Sequence, residues 1–137
     1  MKKKILILVP LLLVVAGAAY KLVLAPKPVP AKQKIAGSVV PLQKEFLLNL
    51  AGGRYAKVSV ALVVPTPPPP GEGGAPAALP QEAAVRAVVT DELTGLSASS
   101  LIVRPQRHAL LKEIRKAIDH TTDEQVEEVL FTDITVQ

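Results

Sequence analysis

Two histidines, a serine cluster and a carboxylate-rich junction are the side chains with the means to do chemistry in this chain. His108 and His120 are its only histidines. Imidazoles on one helix join a single metal when they share a face at close spacing, and these two stand twelve positions apart. Each reads as a hydrated surface side chain. Asp119, Asp123, Glu124, Glu127 and Glu128 gather where a helical pattern gives way to a strand pattern. Carboxylate pairs do acid–base work only where burial or a neighbour shifts their proton affinity, and a junction of this kind is a solvated turn, with Thr121 or Thr122 available to cap. Ser97, Ser99 and Ser100 have no His or Asp nearby in a triad-like order. No glycine pattern between strand and helix cradles a phosphate, and with no cysteine there is no thiolate, disulfide or lipid-modified thiol. The expectation is a non-enzyme, with no catalytic residue, metal, cofactor or small-molecule substrate.

The elements that position these groups have to come from an aliphatic chain: 49% of its 137 residues are hydrophobic and only 3% aromatic. Its net charge of +4 is divided unevenly. Up to Lys34 there are seven lysines and no acid, whereas the remainder carries nine Lys/Arg against twelve Asp/Glu. The basic excess belongs to the amino-terminal region and the rest is mildly acidic, which removes the electrostatic footprint of nucleic-acid binding. The length allows one domain once an anchor is set aside.

Met1-Lys2-Lys3-Lys4 opens the chain ahead of an apolar run. A helix needs about twenty apolar residues to cross about 30 Å of hydrocarbon, and residues 5–24 provide them, with Lys21 near enough to the end to reach the interface. A cleaved signal peptide is the competing reading, with Ala16-Gly17-Ala18 as the small-residue site. A retained anchor is preferred: residues 1–4 as a cytoplasmic tail and the remainder exported. Lysines flank both ends of the run, so charge alone leaves the orientation open. Pro26, Pro28 and Pro30, followed by Lys32 and Lys34, mark residues 25–41 as an extended, semi-rigid linker.

The exported domain is placed at residues 42–137. Residues 42–50 and 55–64 read as two strands about Ala51-Gly52-Gly53-Arg54, whose glycines supply the positive φ of a tight connection. The second has the cleaner alternation, Val58, Val60, Leu62 and Val64 against Lys57, Ser59, Ala61 and Val63. Asn49 reads as turn chemistry at a strand end. Residues 65–80, with Pro67-Pro68-Pro69-Pro70 and Gly71-Glu72-Gly73-Gly74, read as a mobile surface loop that cannot pack. Such a run can also serve an aromatic groove, but a plain spacer is preferred. One helix follows Pro80, with Val85, Val88, Val89, Leu93 and Leu96 at helical spacing and Gly95 at its end. A second starts near Pro105 on the stripe Leu110, Leu111, Ile114 and Ile118. Between them Leu101-Ile102-Val103 reads as an apolar patch tucked under the sheet.

Residues 129–136 are the most strand-like of all, rich in β-branched and aromatic side chains. Strict alternation puts Leu130, Thr132, Ile134 and Val136 on one face and Val129, Phe131, Asp133 and Thr135 on the other. The order strand–strand–helix–helix–strand implies an α+β domain, helices on one face of a small antiparallel-rich sheet.

Two stretches resemble a known family. Phe46-Leu47-Leu48-Asn49-Leu50, a glycine-containing turn and Arg54-Tyr55-Ala56-Lys57-Val58 are similar to the hairpin of the FliL family of flagellar basal-body-associated membrane proteins. Val129-Leu130-Phe131-Thr132-Asp133-Ile134-Thr135-Val136-Gln137 resembles the strand that closes it. The resemblance extends through the helices and omits residues 65–80; Ile134 stands where relatives often have Phe. It implies a single-pass protein of the inner membrane with a periplasmic domain of SPFH/stomatin-like fold. It also implies a homo-oligomeric ring around the flagellar stator proteins MotA and MotB, supporting motor rotation in motility and chemotaxis. An anchored or secreted scaffold module of an export or membrane complex unrelated to motility is the alternative. A membrane-anchored hydrolase, a further rival, lacks a visible reactive group.

Overall fold

The alternation of residues 55–64 makes β3 (Tyr55–Val64) the strand on which the others assemble. The computed structural model describes residues 34–74 and 77–137. Within them the elements are β1 (Ser38–Pro41), β2 (Phe46–Asn49), β3, α1 (Glu82–Leu93), α2 (Ala98–Ile102), α3 (Arg104–Thr121) and β4 (Glu128–Val136). The mixed α+β composition and the antiparallel sheet agree with the sequence. The proposed tail and span, residues 1–4 and 5–24, lie outside the described residues. Among the described ones, no helix is long and apolar enough to cross a membrane.

β4 pairs with β3 from Ala56↔Val136 to Val63↔Glu128. β1 pairs with the Ala61–Val64 end of β3, and β2 with its Tyr55–Val58 end. A strand has two edges and β4 occupies one of them, so β1 and β2 lie end to end along the other. The expected single strand at 42–50 is therefore corrected. Its second half is β2; its first half is a jog, and the strand pairing resumes upstream in β1. Register moves from Pro41↔Ala61 to Phe46↔Val58, which leaves two extra residues on this side. Lys44 takes them through a left-handed conformation, φ 64. Gln43, Lys44 and Glu45 form a polar run that no apolar face could hold in a ladder, and α1 ties it down. The Arg86 guanidinium donates to the carbonyls of Gln43 and of Lys44, the latter at 2.9 Å, and lies 4.2 Å from the centre of the Phe46 ring. The Gln43 amide donates to Glu82 at 2.8 Å.

The linker placed at 25–41 is corrected as well, because 38–41 is strand. Gly37 leads into it with φ +106, and a Cβ there would stand 2.6 Å from the Val64 carbonyl oxygen. Only glycine accepts both constraints. Gly37→Ala is expected to cost about 1–3 kcal/mol, the range of a residue forced into a strained conformation. Chemical denaturation of residues 35–137 measures it; a loss within experimental error would mean that β1 is not held as described.

The strict alternation expected for the last strand also fails. Ser59 faces Asp133 while Val60 faces Phe131, so Thr132 is a bulge. The bulge resets the pleat. Val129 is buried in the core, and Phe131, Ile134 and Val136 all pack against it from one face, rather than dividing between two.

α1 buries Val85, Val88, Val89 and Leu93, one stripe of a helix. α3 buries Ile114 and Ile118 and has Pro105 in its first turn. These side chains meet Val58, Val60, Leu62 and Val64 of β3 in one core. The patch expected at Leu101-Ile102-Val103 is split. Leu101 and Ile102 end a further, short helix and Val103 follows it in extended conformation; Leu101 is fully buried while Ile102 and Val103 are exposed. One helical turn can aim only one of three neighbouring side chains inward. The loop at 65–80 packs at both feet, contrary to expectation: Val64 and Leu79 are buried and Pro68 is half-buried. The Gln81 side chain and backbone are clasped by Asp123 and Glu124. The backbone amide donates to Glu124 Oε1 at 2.8 Å and Nε2 to Asp123 Oδ2 at 3.0 Å; the Asp123 amide donates to Gln81 Oε1 at 3.1 Å.

Candidate functional site

Every chemistry-bearing side chain singled out above lies at or near the surface, and they do not converge. His108 and His120 are exposed on α3. Ser97, Ser99 and Ser100 bond one another, Ser97 Oγ standing 2.8 Å from Ser99 Oγ and 3.1 Å from Ser100 Oγ, at the start of α2. Asp119 pairs with Arg115 one turn earlier at 3.3 Å. Asp123 and Glu124 hold Gln81, as described. Glu127 approaches Gly37, its amide donating to the Val63 carbonyl at 2.8 Å, and Glu128 starts β4. Among the described residues no polar side chain is buried in the core, and no three His or acidic groups gather as metal ligands.

The feature of most interest is the sheet face opposite the described helices, open at its Leu47–Tyr55 end, whereas Ala61 and Val63 on it are buried. Alternation delivers Val39 and Pro41 from β1, Leu47 from β2, Tyr55, Lys57, Ser59, Ala61 and Val63 from β3, and Leu130, Asp133 and Thr135 from β4 to this side. Leu47 is 81% exposed and Tyr55 63%. They sit diagonally across the β2–β3 ladder, within reach of each other. Between this apolar end and the Val39–Val63 end lies the Lys57–Glu45 ion pair at 2.8 Å. The hydrogen bond and the charge of Glu45 hold the Lys57 ammonium above its ordinary 10.5, so it is cationic throughout the neutral range. The pair is open to water and contributes little to stability. A second apolar point is formed by Ile102 and Val103 between α2 and α3.

Sequence reasoning missed two of these features. Leu47 was read only as part of a strand, and its near-complete exposure follows from β2 offering its other face, Phe46 and Leu48, to the core. Arg86 gave no signal at all, since its role depends on a jog in a strand some forty residues away.

Residues 39–137 match the family model described as flagellar basal body-associated protein FliL. No curated protein matches the chain significantly.

Proposed function

Because the chain belongs to the FliL family, a flagellar basal-body-associated group, we propose that it acts without catalysis, as a membrane-anchored accessory of the flagellar motor. In this reading residues 5–24 are retained as a single inner-membrane span, residues 1–4 face the cytoplasm, and the domain stands in the periplasm. The domain has an SPFH/stomatin-like fold, joins others of its kind in a homo-oligomeric ring, and supports the stator proteins MotA and MotB and hence motor rotation. The observation that carries the proposal is the extent of the family match, which runs from Val39 in β1 to Gln137 and so takes in every strand and helix named above but for Ser38.

Anchoring raises the local concentration of a small domain at its target far above what diffusion alone provides. Deleting the gene in a flagellated host should therefore leave filaments assembled and reduce swimming, most clearly under viscous load. Residues 36–137 exported as a soluble domain should restore little. Full rescue by that soluble domain, or a host without flagella, would replace this reading with a scaffold module of an export or membrane complex unrelated to motility.

A further inference from the structure

We propose that Pro67-Pro68-Pro69-Pro70 is a built-in polyproline ligand, presented at the surface of the domain to a partner protein with an aromatic-lined groove. Proline fixes its own φ near the polyproline value, and each of Pro67, Pro68 and Pro69 is also restrained by the proline after it. Four in succession favour a left-handed helix of three residues per turn, a conformation set by the prolines themselves before any partner arrives. With that period Pro67 and Pro70 fall on one edge, and both are exposed. Pro67, Pro68 and Pro69 border a cleft of about 270 Å³ that the run forms with Val64, Leu79 and Glu124; Pro68 is the half-buried one, and Pro67 and Pro69 stay exposed at its rim.

The feet of the loop supply what a loose spacer lacks. The run leaves the end of β3 at buried Val64 and returns through buried Leu79 to the three-bond clasp of Gln81 by Asp123 and Glu124. The fold thus fixes the feet and the prolines stiffen the run between them, so a partner loses less chain entropy on binding than a flexible segment would cost. Grooves that read such ligands take prolines at i and i+3 between aromatic rings and use a charged side chain beside the groove to fix direction. Glu72 follows Pro70 by two residues and is exposed, and no Lys or Arg occurs from Pro65 to Gln81. The matching groove therefore carries a cation next to its rings. This inference holds whether or not the flagellar reading does.

The test uses the full-length chain in its host membranes, with the photoreactive amino acid p-benzoylphenylalanine at Thr66, an exposed position beside the run. Irradiation should give one discrete adduct whose captured peptide contains the aromatic residues of a groove. A synthetic peptide of residues 65–72 should compete it away, and the same peptide with serine for every proline should not. P67S/P70S should lower the adduct yield roughly tenfold, the scale of a lost anchor contact, with the thermal melt unchanged. No adduct, an adduct indifferent to the peptide or to P67S/P70S, or a melt lowered by that double substitution would each overturn the proposal and leave the run a structural spacer.

Discussion

A chain ending at Glu128 should fail to unfold cooperatively at any temperature, because β4 is one of only three columns in the sheet. The truncation removes Val129, which is buried, and Phe131, Ile134 and Val136, which pack on the core from the same face. Burying side chains of this kind contributes about 1.5–3 kcal/mol each when complete, somewhat less for the half-buried three. A domain of this size has only about 3–5 kcal/mol to lose. The loss is compounded at β3, whose edge from Ala56 to Val63 would open to water along its whole length. Circular dichroism of residues 35–137 with and without the last nine decides the matter. A cooperative melt at the original temperature would show that β4 is dispensable to the core.

Adjacent residues in α2 should differ by more than almost any pair in the domain. Leu101 is fully buried against the core, and Ile102 is 57% exposed. Leu101→Ala should cost about 2–5 kcal/mol through lost transfer energy and the cavity left behind. Ile102→Ala should stay within about 0.5 kcal/mol, as an exposed substitution away from any special feature. Urea denaturation of the two variants side by side is the measurement. Equal losses would mean that the whole apolar patch is covered, and α2 would then have to be rotated or re-registered.

That contrast shows where sequence reading stops. Periodicity found β3, the turn at Gly52 and Gly53, and the stripes of α1 and α3, because each is a local rule acting within one element. It failed where a second element decides. The jog at Lys44 exists because Arg86 and Glu82 hold it from α1, and the bulge at Thr132 becomes visible only against the pairing of Ser59 and Val60. Without the bulge, strict alternation assigns Phe131 and Ile134 to opposite faces; with it, both face inward. Leu101, Ile102 and Val103 are all strongly apolar, and only the end of α2 at Ile102 and the extended residue after it select which is buried. The candidate surface was the least legible part. Leu47 and Tyr55 have the composition of core residues, and what places them outside is the choice of which sheet face the helices cover.

Ser38 lies beside Val64, and Val136 beside Ala56, so the folded unit is entered and left at opposite ends of its central strand. Tension applied between residue 35 and Gln137 would run lengthwise through β1 and β4, which flank β3 on either edge. Antiparallel ladder bonds lie across the strand direction, so such a pull shears whole rows of them together, where a sideways pull would peel them apart singly. Along this axis the domain is a stiff mechanical link, and the Tyr55–Gln137 bonds, 2.9 and 3.0 Å, rivet its far end.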